Sequence, residues 1–212
     1  MAYETAKEAL ESSSISDGLK NDIRTLLEKV KNGITDTTKA VVEKVMRFVK
    51  TVTIELTTVN LKTFFVTDKN LYADESDFQQ FLQEVLQDNV DAPIGEVTYH
   101  WHTNTESAHD DVIWPEIGEV TIDMNTPEGM SEAHNRLNYL CTEINKQSKG
   151  EAGTLLNNGY ANVIGIFKLK SGRVFTVFAF WYSGNALWDC YGFEPRGWNA
   201  GDQFLSRNGD AK

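Results

Sequence analysis

The sequence predicts an α+β protein, in which an N-terminal antiparallel helical hairpin precedes a mainly antiparallel β-sheet that carries two packed helices. Two observations predict this class. Apolar residues recur at three-and-four spacing up to about residue 50, whereas later segments alternate apolar and polar residues, as half-buried strands do. The later strands are joined by short turns, which favours hairpins over the helical crossovers of a parallel sheet. We therefore expect a helical appendage at residues 1–50 and an α+β core domain at residues 51–212.

The first fifty residues have the pattern of two helices joined by a short connection. One apolar stripe runs through residues 15–30, and Gly33 follows as a C-terminal cap. The second helix is expected to begin at Thr35 or Asp36, since both are good N-caps. The seam between the helices is expected to contain Leu26, Leu27, Val41 and Val45, and the second helix to continue through Met46, Phe48 and Val49.

The core domain is expected to end in a β-meander. Its middle strand is apolar on both faces, which places it at the centre of the sheet. Two helices are expected before it, the second capped by Thr126 with Pro127 in its first turn. The expected strands are 51–57, 97–102, 118–124, 160–170, 173–183 and 186–193, and the expected helices are 75–89 and 126–146. A loop is expected through Trp114 and Pro115, and the tail from Glu194 is expected to be loop-like and anchored by Trp198 and Phe204.

Most of the excess negative charge lies in the middle of the chain. Residues 51–150 carry five basic and eighteen acidic side chains, whereas the flanking segments are nearly balanced and the whole chain has a net charge of −11. Such a surface repels nucleic acid phosphates and attracts cations or basic proteins. We therefore expect a basic partner for this stretch, with a salt-sensitive association, and we take Asp110 and Asp111 as its candidate contacts.

The bulk properties are those of a chain without a membrane span. No apolar run approaches the length needed to cross a bilayer, and the first residues lack the basic and apolar regions of a secretory signal. Two cysteines, Cys141 and Cys190, cannot form a disulfide framework and fit a reducing compartment. We expect a cytoplasmic location, although a virion protein has the same properties.

A His-x-His pair provides the candidate metal site. His100 and His102 are expected on the same face of a strand, with Glu106 and His109 in the loop that follows. Imidazoles and a carboxylate suit one divalent transition metal, so a metal-dependent enzyme is the alternative hypothesis. In the simpler interpretation, which we favour, the two rings face solvent or bond to neighbouring strands and no third ligand approaches.

The spacing of these residues resembles the cupins. His100, His102 and Glu106 are similar to the first cupin motif, and the segment from Pro127 to His134 is similar to the second. The resemblance implies a metal site. Two departures argue against membership: the second motif is two residues too long, and His134 falls in an expected helix where a cupin has a strand.

The C-terminal third is rich in aromatic residues, which have two interpretations. We favour a buried sheet because the alternation is regular. The other interpretation is a platform of aromatic side chains at the surface that binds a partner. Its candidate residues are Trp181, Trp188, Tyr191 and Trp198.

The sequence favours a non-enzymatic interaction or assembly protein over an enzyme. It contains no phosphate-binding glycine loop, no nucleophile elbow and no paired-cysteine zinc motif. The apolar helical stripe and the anionic middle region suit contact with another protein or with copies of the same chain. A structural subunit, which includes a homo-oligomer, and an inhibitor with an acidic surface both fit this description.

Overall fold

The structure is a computed structural model that describes residues 45–56, 60–67, 71–73, 76–87 and 95–207. These residues combine helices with one large, mostly antiparallel sheet, which confirms the expected mixture of the two. The helical hairpin expected before residue 45, with Leu26, Leu27 and Val41, lies outside the described residues.

The described residues form four helices and ten strands. The helices are α1 (Leu61–Thr67), α2 (Ser76–Gln87), α3 (Asp110–Glu116) and α4 (Pro127–Lys146). The strands are β1 (Met46–Leu56), β2 (Leu71–Tyr72), β3 (Gly95–Asn104), β4 (Ala108–His109), β5 (Ile122–Asp123), β6 (Asn162–Lys168), β7 (Val174–Tyr182), β8 (Leu187–Phe193), β9 (Gly197–Trp198) and β10 (Gln203–Ser206).

The main sheet has the strand order β1-β3-β10-β6-β7-β8-β2, and β5 pairs with β6 beside this path. The expected meander is confirmed, because β6, β7 and β8 are consecutive antiparallel neighbours. The middle of the order is β6 rather than β7. The reason is that β10 returns from the chain end and inserts between β3 and β6, antiparallel to β3 and parallel to β6.

Helices α1, α2 and α4 cover one face of the sheet. Phe81 of α2 and Leu137 of α4 are completely buried in one apolar cluster with Trp101, Phe175 and Trp188 of the strands. The expected cap of α4 is confirmed, since the Thr126 hydroxyl accepts a hydrogen bond from the backbone N–H of Gly129 at 3.0 Å. This face is therefore the main core of the protein.

Helix α3 covers part of the opposite face. Ile113 and Trp114 pack there with Phe178, Trp198 and Phe204 in a second, smaller cluster. The tail is anchored by Trp198 and Phe204 as expected, because both rings are buried. The sequence interpretation treated the segment through Trp114 as a loop, and the helix is a correction that concerns the candidate site directly.

Strand β1 corrects the expected end of the second N-terminal helix. Met46, Phe48 and Val49 belong to an 11-residue strand that pairs with β3 from Met46 opposite Asn104 to Leu56 opposite Gly95. The register shifts between Phe48 and Lys50, as at a β-bulge. Pairing with β3 along the whole strand outweighs the local helical pattern. None of the helices in the described part of the chain has the length and apolar character needed to cross a membrane.

Candidate functional site

An open groove of about 640 Å³ lies beside helix α3, on the face of the sheet opposite α4. Its apolar residues come from α3, the segment after it, the sheet and the tail. They are Trp114, Pro115, Val120, Ile166, Val174 and Pro195. Its polar residues are His109, Asp110, Asp111, Glu119 and Thr121, so the lining contains three carboxylates and no Lys or Arg.

Asp110 holds the wall of the groove together from inside. Its Oδ1 atom accepts hydrogen bonds from the indole N–H of Trp114 at 2.7 Å and of Trp198 at 2.9 Å. Its Oδ2 atom accepts from the Thr176 hydroxyl at 3.1 Å and from the backbone N–H of Arg196 at 2.8 Å. One carboxylate thus ties α3 to β7 and to the tail. Asp110 is only 2 % exposed, so the expectation that it contacts a partner is corrected: its role is internal.

Asp111 and His109 form the outer rim of the groove. The Asp111 side chain is 80 % exposed, and its Oδ1 atom lies 3.1 Å from Nδ1 of His109. Val120 on the opposite segment is 76 % exposed. An accessible carboxylate and an accessible apolar side chain therefore border the same opening, which matches the expected place of Asp111 at the surface.

Glu119 connects the groove to a buried ionic network. Its carboxylate contacts the guanidinium of Arg136 at 2.7 Å, and Glu132 contacts the same guanidinium at 2.7 Å. Arg136 also donates to the backbone carbonyls of Ile164 at 2.7 Å and Leu205 at 3.1 Å. The network fixes α4 and the segment after α3 to adjacent strands, so the groove is bounded by rigidly held elements.

The tryptophans of the expected platform are not at the surface. Trp181 and Trp188 face α4 in the main core, with their rings edge to face at 5.6 Å. Trp198 is buried beneath Arg196, whose guanidinium lies 5.0 Å from the centre of the indole. Tyr191 alone of the four is half-buried on the other face, stacked on Phe180 at 5.7 Å. The interpretation as a buried sheet accounts for these positions.

The two histidines of the His-x-His pair bond to different strands. The Nδ1 atom of His100 is hydrogen-bonded to the Thr51 hydroxyl of β1 at 3.0 Å. The Nε2 atom of His102 is bonded to the Ser206 hydroxyl of β10 at 3.0 Å, with the ring buried. Both rings thus bond to neighbouring strands, which is the geometry of the favoured interpretation. His100, His102, Glu106 and His109 do not converge, and no group of three potential metal ligands occurs among the described residues.

Both cysteines are buried, and neither forms a disulfide bond. Burial, with a contribution from the neighbouring Asp189 carboxylate, raises the pKa of the Cys190 thiol far above its ordinary value. Because the thiolate is the reactive form, Cys190 is poorly suited to nucleophilic chemistry.

Burial shifts the pKa values of His102 and Glu116 away from their ordinary values. It lowers the pKa of His102 to about 4, and the nearby His100 adds to the effect. Burial also raises the pKa of Glu116 to about 7, although the backbone N–H of Met46 donates to its Oε1 atom at 3.2 Å and opposes the shift. His102 therefore favours the folded state at neutral pH, and Glu116 favours it at acidic pH.

Protonation of His102 is expected to destabilise the fold in acid. Its pKa is lower in the folded state than in the unfolded state, so its contribution is complete above about pH 6.5 and is lost as the pH falls towards 4. Glu116 has the opposite effect on the pH dependence of folding stability. The effect of the His102 substitution is therefore best measured in a protein that already carries Glu116→Gln. Thermal unfolding across this range should show a smaller acid-side loss of Tm for His102→Asn/Glu116→Gln than for Glu116→Gln alone. Equal losses in the two proteins would contradict the assignment.

Sequence reasoning identified Asp111 but missed most of the groove. The sequence predicts a loop at Trp114 and Pro115, a strand at Val120 and an anchored, loop-like tail at Pro195, and it does not bring these residues together. Val112 and Val120 flank Trp114 in an acidic segment, and this apolar pattern is the sequence signal that could have indicated the site. Both valines are exposed in the structure. The ionic network around Arg136 had no local sequence signal, because Ile164 and Leu205 lie far away in the chain.

No protein-family model, curated protein or solved structure matches this chain. The residues of the groove themselves are therefore the basis for a function.

Proposed function

We propose that this protein is a non-enzymatic interaction protein that holds a basic, apolar segment of a partner protein in the groove beside α3. One observation carries the proposal: the groove has apolar walls and the exposed Asp111 carboxylate at its rim, and none of its lining residues is Lys or Arg. Its volume of about 640 Å³ is large enough for several side chains.

The chemistry of the groove favours this occupant over an apolar ligand without charge. Asp111 is accessible at the rim, where it can pair with a Lys or Arg side chain. Asp110 supports the groove from inside, where its carboxylate accepts hydrogen bonds from two indole N–H groups, a hydroxyl and a backbone N–H. The surrounding stretch, residues 51–150, supplies a negative field that attracts a basic protein before contact.

The rigidity of the groove also supports a binding role. Asp110 and the Arg136 network hold its walls through buried hydrogen bonds and ion pairs. A preformed groove loses little conformational entropy when a ligand binds. The partner, rather than this chain, would then supply the segment that becomes ordered. A structural subunit and an inhibitor with an acidic surface both use such a contact. The two buried cysteines, neither of which forms a disulfide bond, support a reducing compartment such as the cytoplasm.

Peptide binding tests the proposal directly. Peptides selected on the 212-residue protein from a random phage-displayed library are expected to combine Lys or Arg with large apolar residues. In fluorescence polarisation, Asp111→Lys should weaken the binding of a selected peptide about tenfold, because it replaces attraction at the rim by repulsion. Raising the salt concentration should weaken wild-type binding and reduce the difference between the two proteins.

Glu106→Lys is the matched control. It makes the same charge change at an exposed residue of the same acidic region, but it does not line the groove. It should leave affinity within about threefold of wild type, since long-range charge alone contributes little. Selection of peptides without basic residues, or equal effects of the two variants, would overturn the proposed site.

A further inference from the structure

The loop that precedes β6 exposes an Asn-Gly pair. Residues 157–160 are all exposed, and they include Asn158 followed directly by Gly159. Asn162 closes the loop, because its Oδ1 atom accepts a hydrogen bond from the backbone N–H of Leu156 at 2.7 Å and its Nδ2 atom donates to the Leu156 carbonyl at 3.1 Å. The pair therefore lies in a short, solvent-exposed loop whose ends are bonded to each other.

Gly159 leaves its backbone nitrogen accessible. Its φ is +88°, and among the described residues no atom outside its chain neighbours lies within 4 Å of the position that a Cβ would occupy. The Gly159 N–H donates a hydrogen bond to none of the described residues. Because glycine has no side chain, nothing on the residue itself shields this nitrogen either. It can therefore lose its proton to hydroxide and act as a nucleophile.

The Asn158 side chain is folded forward over the Gly159 peptide. Its Oδ1 atom accepts a hydrogen bond from the backbone N–H of Tyr160 at 3.3 Å, and the ring closed by this bond contains the Gly159 nitrogen. A donor at Oδ1 stabilises the negative charge that this oxygen acquires when a nucleophile attacks Cγ. The contact with Tyr160 thus both orients the side-chain amide and polarises its carbonyl.

We propose that Asn158 is a site of spontaneous deamidation, which converts this asparagine to aspartate or isoaspartate. The deprotonated Gly159 nitrogen forms a bond with Cγ, the Cγ–Nδ2 bond breaks, and Nδ2 takes up a proton and leaves as ammonia. Water then hydrolyses the resulting succinimide. Cleavage between Cγ and the nitrogen gives aspartate, whereas cleavage between the main-chain carbonyl carbon and the nitrogen gives isoaspartate, and either product adds a negative charge to the loop.

Asn157 is an internal control in the same loop. It is exposed, as Asn158 is, but its Nδ2 atom donates to the Gly150 carbonyl at 2.7 Å. The residue after it, Asn158, carries a side chain that hinders its backbone nitrogen. Asn157 should therefore remain unmodified while Asn158 is converted.

The modification is independent of the groove beside α3. None of residues 157–160 lines the groove. Deamidation at Asn158 therefore does not depend on the proposed function, and each can fail without the other.

Peptide mapping by mass spectrometry tests the site. The 212-residue protein is incubated in neutral and in mildly alkaline buffer and then digested rapidly with pepsin in acid. Sequencing of the fragments assigns each conversion to a residue, which separates Asn158 from the Asn-Gly pairs at residues 32–33 and 208–209. Asn158 should be converted at a rate within about tenfold of that in a free peptide of residues 150–168. The rate should rise with pH, because the Gly159 nitrogen must lose its proton.

Two variants test the chemistry. Asn158→Gln should abolish the conversion at this position, because the longer side chain would have to close a larger ring. Gly159→Ala should slow conversion of Asn158 at least about tenfold, because its Cβ hinders the attacking nitrogen. An unmodified Asn158 in the folded protein under conditions that convert the free peptide, or equal conversion of Asn157 and Asn158, would overturn the proposed site.

Discussion

Replacing Arg136 with methionine is expected to lower the free energy of unfolding by about 3–5 kcal/mol. The Arg136 side chain is 1 % exposed and pairs with both Glu119 and Glu132. Methionine retains much of the side-chain volume, but it leaves the buried Glu119 carboxylate without its cation and Glu132 with only Arg207 as an ion-pair partner. It also leaves the carbonyls of Ile164 and Leu205 without this donor. Charges left unpaired in a buried site are costly, so the loss should greatly exceed that of a surface ion pair.

Urea unfolding of wild type, Arg136→Met and Arg173→Met measures this effect. Arg173 is a matched control, because its side chain is 42 % exposed and its guanidinium forms ion pairs with Asp77 and Glu194 at 3.3 Å. Its replacement should cost less than about 1 kcal/mol. A loss of the same small size for Arg136→Met would mean that the network does not hold α4 to the sheet.

Replacing Asp110 with alanine is expected to cost about 3–5 kcal/mol and to abolish peptide binding at the groove. The substitution removes the acceptor for four hydrogen bonds, three of which join segments far apart in the sequence. Each buried donor left without an acceptor costs about 1–3 kcal/mol, partly offset where the structure relaxes. The tail should detach from α3 first, because the contacts to Trp198 and Arg196 disappear together.

Urea unfolding followed by tryptophan fluorescence measures the effect of the Asp110 substitution, because the Trp114 and Trp198 indoles lose the same acceptor. Asp111→Ala is the control at the neighbouring position. Its side chain is exposed, so its stability should lie within about 0.5 kcal/mol of wild type. Equal stability of the Asp110 and Asp111 variants would contradict the internal role of Asp110.

Local sequence patterns predicted the elements whose contacts are regular. Helix α4 could be bounded in advance because Thr126 and Pro127 mark its start and one apolar face continues to its end. The meander was equally accessible, since β6, β7 and β8 alternate regularly and connect through short turns. Both predictions depend on residues close together in the chain.

Elements that depend on distant partners were missed. Strand β10 has only four residues, all buried, and it is a strand because β3 and β6 lie on either side of it. Helix α3 contains Pro115, which reads as a helix breaker in the sequence. The chain from Met46 to Lys50 has an apolar pattern compatible with a helix, and pairing with β3 makes it a strand.

In the candidate site, too, local features could be predicted from the sequence, whereas features that depend on distant residues could not. Exposure of Asp111 follows from its place in a polar segment, but the burial of Asp110 could not be predicted. Its donors include Thr176 and Trp198, which only the fold brings to it. The tryptophans of the C-terminal third were ambiguous for a related reason: alternation indicates two faces, and only the position of α4 decides which face is the core.

Chemical-shift mapping with a selected basic peptide tests the central claim most directly. Isotopically labelled protein is titrated with the peptide, and the backbone amide signals are followed by NMR. The groove hypothesis predicts that the largest shifts cluster at residues 109–121 and at Ile166, Val174 and Arg196, which follows Pro195. At the same peptide concentration these shifts should be much smaller in Asp111→Lys, because this variant binds about tenfold more weakly. Shifts that cluster instead on Phe180, Tyr191 and Phe193, or that persist unchanged in Asp111→Lys, would contradict it.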